Sequence, residues 1–177
     1  MNTAECDSLL GLIDGRPWMN DLKRRVQHYG WRYDYSARFV TENMRAESLP
    51  YGINDVAERL RSRGWFSETP DQVIVNEYEP GQGIAPHVDR DCFGPAVATL
   101  SLGDCWPMQF IPAGRNADRA ERREVLLDVG SILVLTGAAR NKWMHGIARR
   151  RVDGRGSDKR ERQRRVSVTF RTVKLQS

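Results

Sequence analysis

The sequence has few of the features that define secreted or membrane proteins. Its three cysteines, Cys6, Cys92 and Cys105, are irregularly spaced and predict neither a disulfide framework nor a zinc knuckle. The longest apolar runs, Val129–Val134 and Ala96–Leu102, are interrupted by glycine or serine and fall far short of the roughly 20 residues of a transmembrane helix. The acidic N-terminal region lacks a basic-then-apolar leader. We therefore expect a protein of the reducing cytoplasm with no membrane contact.

The length allows one compact domain and little more. The chain has 177 residues, of which 40% are hydrophobic and 29% are charged, which is the balance of an ordinary soluble core. No internal repeat divides it. We expect a single domain over residues 1–177 that acts as a monomer.

The positive charge is concentrated near the C-terminus. The formal net charge is +5, and residues 149–165 contain nine basic and three acidic residues, so the rest of the chain is close to neutral. Residues 149–164 include two glycines and a single apolar residue, Val152, which predicts a flexible basic loop. Such a loop is either a solvated segment or an arm that contacts nucleic-acid phosphates. A smaller cluster, Lys23–Arg25, extends this candidate surface.

The pattern of apolar residues predicts a mainly β protein (α+β class) with a few helices near its N-terminus. Helices are expected over residues 3–13 and from an N-cap at Asn54 to Arg63. A strand is expected over Leu22–Tyr29, whereas residues 36–51 have no regular pattern. Six strand-like runs follow: Gln72–Tyr78, Ala96–Leu102, Met108–Ile111, Glu124–Leu127, Ser131–Leu135 and Arg165–Val173. This spacing is typical of an antiparallel sandwich, barrel or jelly roll.

The last of these strands has one polar face, because successive side chains of a strand point to opposite sides. Its apolar residues share one side: Val166, Val168 and Phe170. Its polar residues share the other: Arg165, Ser167, Thr169 and Arg171. Both an edge strand with one wet face and a barrel with a polar interior explain this pattern. In a barrel, the buried arginines need an anion, and their long side chains suit the two ends of a small dicarboxylate.

The few histidines indicate a metal site. His87 and Asp89 share a face if their segment is extended, and His145 follows farther along the chain. Two histidines and one carboxylate form the facial triad of non-haem Fe(II) oxygenases, although zinc hydrolases use the same types of ligand. The arginines of the last strand favour the iron enzyme, since a hydrolase has no need of them. We expect His28 to be a packed or surface residue and not a ligand.

Several motifs together resemble the AlkB family of Fe(II)/2-oxoglutarate dioxygenases. The resemblance covers roughly residues 17–174 and rests on five stretches: Asn76–Ile84, His87–Asp89, Ser101–Gly103, Trp143–Ile147 and Arg165–Arg171. It implies a double-stranded β-helix (jelly-roll) core and an oxidoreductase that uses Fe(II), 2-oxoglutarate and O2. It also implies that the catalytic iron ligands are His87, Asp89 and His145.

The resemblance further assigns residues to the cosubstrate. Tyr78 and Arg165 are expected at the distal carboxylate of 2-oxoglutarate, and Asn76 and Arg171 at its iron-proximal end. Ser167, on the same strand as the two arginines, is expected to contact the cosubstrate. Arginine suits such a role because its planar group binds a carboxylate at two points.

The resemblance implies a nucleic-acid substrate. Asn76–Ile84 and Leu135–Ile147 are most similar to the AlkB-type domain of tRNA wobble-uridine hydroxylases, whereas Asp91 matches an acidic position of repair-type members. We expect oxidative demethylation of alkylated DNA or RNA bases, on a single strand or a flipped nucleotide. The alternatives are a tRNA-modifying hydroxylase and a hydroxylase of proteins or small molecules. The expected substrate contacts are Asp91, Arg149, Arg150, Arg151, Lys159 and Arg160.

Two further groups of residues are candidates for the substrate site. Aromatic residues of the N-terminal third either stack on a base or pack in the core: Trp18, Trp31, Tyr33, Tyr35 and Phe39. Arg140 and Asn141, just before His145, either shape the site or cap a turn.

Overall fold

The fold combines helices near the N-terminus with two antiparallel sheets. The computed structural model describes four ranges: residues 1–20, 23–33, 40–114 and 122–175. Its helices are α1 (Thr3–Asp14), α2 (Tyr51–Ser62) and α3 (Gly137–Asn141). The prediction over residues 3–13 is confirmed by α1, where Asn2 and Glu5 form a reciprocal capping box. No helix in these ranges is long and apolar enough to cross a membrane.

Helix α2 begins earlier than the sequence predicts. Its N-cap is Pro50, with extended backbone angles, and its first helical residue is Tyr51. The predicted N-cap, Asn54, already donates its backbone N–H to the Pro50 carbonyl oxygen at 2.8 Å and therefore lies inside the first turn. The prediction of an N-cap at Asn54 is wrong because proline, whose φ is preset for this position, starts the helix upstream.

The strands form two antiparallel sheets and one small hairpin. The larger sheet has the order β1 (Val26–Tyr29), β2 (Gln72–Tyr78), β11 (Arg165–Val173), β4 (Phe93–Leu102) and β7 (Ile132–Leu135). The smaller sheet has the order β3 (Ile84–His87), β8 (Trp143–Ile147), β5 (Trp106–Pro112) and β6 (Arg123–Leu127). The hairpin pairs β9 (Val152–Asp153) with β10 (Arg160–Glu161). The predicted mainly β class is confirmed.

The strand predictions hold best for the long strands. The run Gln72–Tyr78 coincides with β2, and the other five predicted runs overlap β4, β5, β6, β7 and β11. The strand predicted from residue 22 is shorter and begins at Val26, and residues 21–22 lie outside the described ranges. In the segment 36–51, residues 36–39 also lie outside them, and a short 3-10 turn covers Glu42–Met44.

The polar face of β11 points into the space between the two sheets. This strand lies at the centre of the larger sheet, between β2 and β4, so it is not an edge strand. Its apolar face packs in a cluster with Leu9 and Ile13 of α1 and Leu60 of α2. On the opposite face, Tyr78 of β2 packs with Trp106 of the smaller sheet in a second cluster. The polar side chains of β11 therefore lie in the interior between the two sheets.

The basic segment 149–164 contains a hairpin with buried ion pairs, where the sequence predicts a flexible loop. Arg162 is 1% exposed and donates from Nε to Asp153 Oδ2 at 2.7 Å and from Nη1 to the Ala148 carbonyl oxygen at 2.8 Å. Arg160 pairs with Asp104 at 2.5 Å. Charge counting misleads here because Arg160 and Arg162 neutralise acids of the fold, and Arg162 does so away from solvent.

Candidate active site

Three potential metal ligands meet where β3 ends beside β8. His87 ends β3 and lies directly opposite His145 of β8 in the antiparallel ladder, with ring centroids 4.6 Å apart. Asp89 follows just beyond the end of β3. One ligand atom from each residue lies within 4.8 Å of the others. The structure thus brings together the three residues that the sequence suggests.

The close approach of β3 and β8 depends on the glycine that follows His145. A Cβ on Gly146 would lie 2.8 Å from the carbonyl oxygen of Ile84 and 2.8 Å from the nitrogen of Pro86. Both are backbone atoms, so a side chain at this position would push the strands apart. Glycine here keeps the two histidines side by side.

The ligand atoms are arranged to meet a cation. Asp89 Oδ2 is buried, has no hydrogen-bond partner among the described residues, and lies 3.4 Å from His145 Nε2. His87 Nδ1 lies 2.9 Å from the Ala85 carbonyl oxygen, which leaves its Nε2 available. Such a contact at one ring nitrogen orients the other toward a metal. These residues fit the two-histidine, one-carboxylate set of non-haem iron sites.

Burial and neighbouring charges keep the two buried ligands in their metal-binding forms. Burial acts to raise the pKa of Asp89, but Arg171 and the two histidines lower it to about 2. Burial lowers the pKa of His145 to about 4, against the opposing effect of Asp89. At neutral pH Asp89 is therefore a carboxylate and His145 a neutral imidazole. Both are the forms that a metal requires.

Two arginines from different elements hold the Asp89 segment. Arg171 of β11 donates from Nη2 (2.6 Å) and Nε (3.0 Å) to Asp89 Oδ1. Arg140 of α3 is 2% exposed and donates to the backbone carbonyl oxygens of Asp89 (2.8 Å) and Arg90 (2.7 Å). Arg140 thus shapes the site, which is one of the two roles considered for it from the sequence, while Asn141 is exposed.

A buried arginine without an anion lies farther along β11. Arg165 is 1% exposed, faces Tyr78 across the β2–β11 ladder, and donates from Nη2 to Ser101 Oγ at 2.9 Å. Its Nε has no partner, and no carboxylate in the described part of the chain pairs with it. Burial lowers the pKa of Arg165 to about 10. A buried cation in this state is suited to an incoming carboxylate.

A row of buried polar residues runs across the larger sheet next to Arg165. Asn76, Ser167 and Ser101 face one another across β2, β11 and β4, and Asn76 Oδ1 accepts a hydrogen bond from Arg24 Nε at 2.7 Å. Farther along β11, Arg171 binds Asp89. Of the two arginines of β11, Arg165 is thus the one without a carboxylate partner among the described residues.

A cavity of about 350 Å³ lies against the triad. His87, Asp89, Asn76, Arg24 and Tyr33 are among the residues that line it. The cavity therefore extends from the metal ligands to Asn76, at one end of the polar row, and to Arg24 in the segment before β1.

The aromatic residues considered for base stacking have different positions. Tyr33 lines the cavity. Trp31 is buried in an apolar cluster that also contains Tyr33, and Trp18 packs against the core beneath the helices. Tyr35 and Phe39 lie outside the described residues. Among those that the structure describes, Tyr33 is thus the aromatic residue placed to meet a substrate.

The sequence is similar to those of known proteins. Residues 17–171 match the profile of the 2OG-Fe(II) oxygenase superfamily. The chain is 34% identical to the Arabidopsis thaliana "Alkylated DNA repair protein ALKBH8 homolog", over 98% of this chain and 56% of that protein. It is 36% identical to the Mus musculus "tRNA (carboxymethyluridine(34)-5-O)-methyltransferase ALKBH8", over 73% of this chain and 19% of that protein. The chain belongs to the AlkB family of 2OG-Fe(II) oxygenases.

Solved structures show the same fold. The structure of OsALKBH1 superposes with a TM-score of 0.65 at 19% identity, covering 97% of this chain and 92% of that one. A Pseudomonas putida prolyl-4-hydroxylase superposes with a TM-score of 0.61 at 10% identity, covering 98% and 89%. The predicted jelly-roll core is confirmed. The chain spans about half the length of the Arabidopsis relative and about a fifth of the mouse one.

The cofactors of this AlkB-family oxygenase are Fe(II) and 2-oxoglutarate. The donor set of His87, Asp89 and His145, with its unpartnered Asp89 oxygen, fits the iron. The buried charge of Arg165, which no carboxylate of the described chain neutralises, fits a carboxylate of 2-oxoglutarate. Asn76, Ser167 and Ser101 of the polar row offer further hydrogen-bonding groups next to Arg165.

The expected substrate contacts differ in their exposure and in their partners. Arg150 and Arg160 are engaged in ion pairs with acids of the fold. Asp91 lies on an exposed turn and does not line the cavity. The remaining three are exposed: Arg149, Arg151 and Lys159.

One residue of the cavity was missed by sequence reasoning. Arg24 lines the cavity, bonds Asn76 and lies with its Cζ 5.7 Å from the ring centroid of Tyr78. The only signal for it in the sequence is its place in the basic cluster Lys23–Arg25.

Proposed function

We propose that this protein is an Fe(II)/2-oxoglutarate-dependent dioxygenase that oxidises bases of nucleic acid. The proposed reaction is the removal of alkyl groups from DNA or RNA bases. The observation that carries the proposal is the combination of the triad with the buried Arg165, which no described carboxylate neutralises, in an AlkB-family chain. The names of two relatives support the substrate class. One is the Arabidopsis repair-protein homologue, and the other is a Danio rerio "Probable RNA/DNA demethylase ALKBH6", 29% identical over 83% of this chain.

The chain's own residues prepare the site for this reaction. Iron, 2-oxoglutarate and O2 supply the oxidising chemistry when bound. His87, Asp89 and His145 hold the metal, while Arg171 and Arg140 keep Asp89 ionised and in place. Arg165 orients the cosubstrate by binding its distal carboxylate, with the Ser101 hydroxyl beside it.

The depth of the site restricts the substrate. Asp89 and His145 are buried, and Asp89 lines the cavity together with His87. A base stacked in a duplex cannot reach such a site, so the target has to be single-stranded or flipped out. A hydroxylated N-methyl group leaves as formaldehyde, which restores the unmodified base.

A second candidate is hydroxylation of a modified nucleoside in tRNA. It is favoured by the mouse relative, whose name refers to a carboxymethyluridine of tRNA. In this reaction the hydroxyl group stays on the nucleoside and no formaldehyde forms. The two candidates therefore differ in a product that is easily measured.

The test uses the purified chain with Fe(II), 2-oxoglutarate and air. The substrates are single-stranded DNA and RNA carrying N-methylated bases, and total tRNA from cells that lack the gene. Formaldehyde in equal amount to succinate supports dealkylation, and a nucleoside that gains one oxygen atom without formaldehyde supports hydroxylation. His87→Ala is the inactive control. If no nucleic acid stimulates succinate formation above the protein alone, the proposed substrate class is wrong.

A further inference from the structure

A cationic cleft lies beside the catalytic cavity. Its volume is about 280 Å³, and it is lined by three cations and three residues of a tight loop: Lys23, Arg24, Arg149, Gly81, Gln82 and Gly83. No acidic residue of the described ranges lines it. Arg24 lines both the cleft and the catalytic cavity, so the two spaces adjoin.

The cleft is held in shape by the loop between β2 and β3. Gln82 Nε2 donates to the backbone carbonyl oxygen of Lys23 at 3.0 Å, which ties the loop to the segment before β1. A Cβ on Gly83 would lie 2.3 Å from the Ile147 carbonyl oxygen and 3.1 Å from Arg149 Cγ. Only glycine therefore allows the loop to approach the backbone at the end of β8, which Arg149 follows. The segments that carry the three cations are thus held around one concave surface.

The cations of the cleft lack the acidic partners that neighbouring arginines have. Carboxylates pair with five of those arginines: Arg25, Arg150, Arg160, Arg162 and Arg164. Within the described ranges, the side chains of Lys23 and Arg149 make no hydrogen bond or ion pair, and Arg24 bonds only the neutral Asn76 amide. The unneutralised charge of Lys23, Arg24 and Arg149 therefore lies beside the catalytic cavity, where it attracts an anion.

We propose that this cleft binds a backbone phosphate of the nucleic-acid strand whose base is oxidised. The inference rests on the proposed function and names the surface that holds the strand. A phosphodiester offers acceptor oxygens to ammonium and guanidinium groups on both sides of the loop. With Arg24 shared between the two spaces, a phosphate next to the target nucleotide lies in the cleft while the base enters the cavity. Such contacts set the register of the strand and do not read its sequence.

The test measures binding of short fluorescein-labelled single strands of DNA and RNA over a range of salt concentrations. The variant combines Lys23→Gln with Arg149→Gln, two exposed residues whose removal leaves no buried charge. Loss of one phosphate contact makes the slope of log affinity against log salt shallower by about 0.7, which is the loss expected for the double variant. Its affinity falls most at low salt. Each single variant is expected to lose about half of that slope.

The matched control removes the same charge from exposed positions outside the cleft. Arg155→Gln with Lys142→Gln changes two exposed cations that line neither the cleft nor the cavity. Its affinity and salt slope are expected to equal those of the wild type. Equal losses in both double variants would mean that general surface charge attracts the strand, and the cleft would lose its assigned role.

Other outcomes separate this inference from the proposed function. If the wild type binds either strand and the cleft variant binds it with the same affinity and slope, the cleft is not the phosphate site, and the proposed function stands. If the wild type binds neither strand at low salt, the nucleic-acid function itself fails. If a glutamate homopeptide displaces the strand as well as an unlabelled oligonucleotide does, the cleft recognises negative charge alone and the phosphodiester assignment is overturned.

Discussion

Arg162 and Arg165 are both almost fully buried, but their charges are satisfied in different ways. Arg162 donates to both carboxylate oxygens of Asp153, at 2.7 and 2.8 Å. Arg165 has the Ser101 hydroxyl and the ring of Tyr78, whose centroid is 5.7 Å from its Cζ. Burying a cation without an anion is unfavourable, so Arg165 lowers the stability of the ligand-free fold and is retained for binding.

Replacing Arg165 with Met is expected to stabilise the ligand-free protein and abolish its response to 2-oxoglutarate. Because Met fills similar space without a charge, the free energy of unfolding should rise by about 1 kcal/mol. In the wild type, 2-oxoglutarate at about 100 times its dissociation constant adds about 2.7 kcal/mol, and the variant should lose this gain. Urea unfolding of the Mn(II)-loaded protein, with and without 2-oxoglutarate, measures both effects.

Arg162→Met provides the contrast for this prediction. It leaves Asp153 buried without its main partner, so it should cost about 3 kcal/mol while the response to 2-oxoglutarate remains. A destabilised Arg165→Met variant that still responds to 2-oxoglutarate would show that Arg165 is a structural residue.

His145 makes the stability of the metal-free protein depend on pH. Its pKa falls from the usual 6.5 to about 4 on folding, so between these values the unfolded chain takes up a proton that the folded chain does not. Stability is therefore lost as pH falls from 6.5 toward 4, by up to about 3 kcal/mol. In His145→Gln the decline over this window should be much smaller. Denaturant unfolding at several pH values, with a chelator present, measures it.

His28→Gln serves as the control for the pH experiment, since His28 lies on β1 away from the triad. This variant should keep the decline of the wild type. If His145→Gln also keeps the full decline, the loss of stability in this window has another source, and the buried neutral state of His145 is not the cause.

At the scale of elements, helix α3 fixes the position of a metal ligand that it does not contain. Arg140 reaches from this five-residue helix to two successive carbonyl oxygens, those of Asp89 and Arg90. Arg140→Gln removes this pair of contacts, and loss of such an outer contact lowers metal affinity by about 10–100-fold. Titration with Mn(II) measures the affinity, and turnover should recover at saturating metal because Arg140 positions Asp89 and takes no other part.

The neighbouring Asn141 supplies the matched control, because it is exposed on the same short helix. Asn141→Ala should leave the Mn(II) affinity unchanged. A kcat that stays low in Arg140→Gln at saturating metal and 2-oxoglutarate would argue that Arg140 does more than position the Asp89 segment.

The long strands could be predicted from sequence because a central strand needs several apolar residues in alternation or in a run. Gln72–Tyr78 and Arg165–Val173 satisfy this condition and lie where predicted. The strands that carry the histidines do not satisfy it. Strand β3 contains Pro86, and β8 has only five residues, one of which is a glycine that is explained by the close packing of the two strands. Their pairing is a long-range property that local pattern does not contain.

The candidate site was predictable in its residue types and only partly in its contacts. The triad and Arg165 are recognisable from motif and strand alternation. The bond from Arg171 to Asp89 and the position of Arg24 depend on which segments meet in space. The prediction of a flexible loop over residues 149–164 was wrong for the same reason. A count of charges does not distinguish Arg162, which forms a buried ion pair, from Arg149, which lines a cleft.

At the scale of the whole molecule, the site joins the two sheets. The smaller sheet supplies both histidines, and the larger sheet supplies Arg171 and Arg165 through its central strand. Asp89, between them, is bonded to the larger sheet through Arg171 and faces His145 of the smaller one. A bound metal adds a further connection between the same elements, so metal binding should raise the stability of the entire fold.

This coupling predicts that His87→Ala loses the thermal stabilisation by metal without losing the fold. His87 is only half-buried, and its one hydrogen-bond contact in the described chain is with the Ala85 carbonyl oxygen. The Tm of the metal-free variant should therefore be close to that of the metal-free wild type. In the wild type, Mn(II) at about 100 times its dissociation constant should raise Tm by about 5–10 °C, and a chelator should reverse the rise. His28→Ala, a histidine outside the triad, should retain the full rise and normal succinate formation. A metal-dependent rise that persists in His87→Ala would mean that the ion binds elsewhere, and the triad would lose its role as the metal centre.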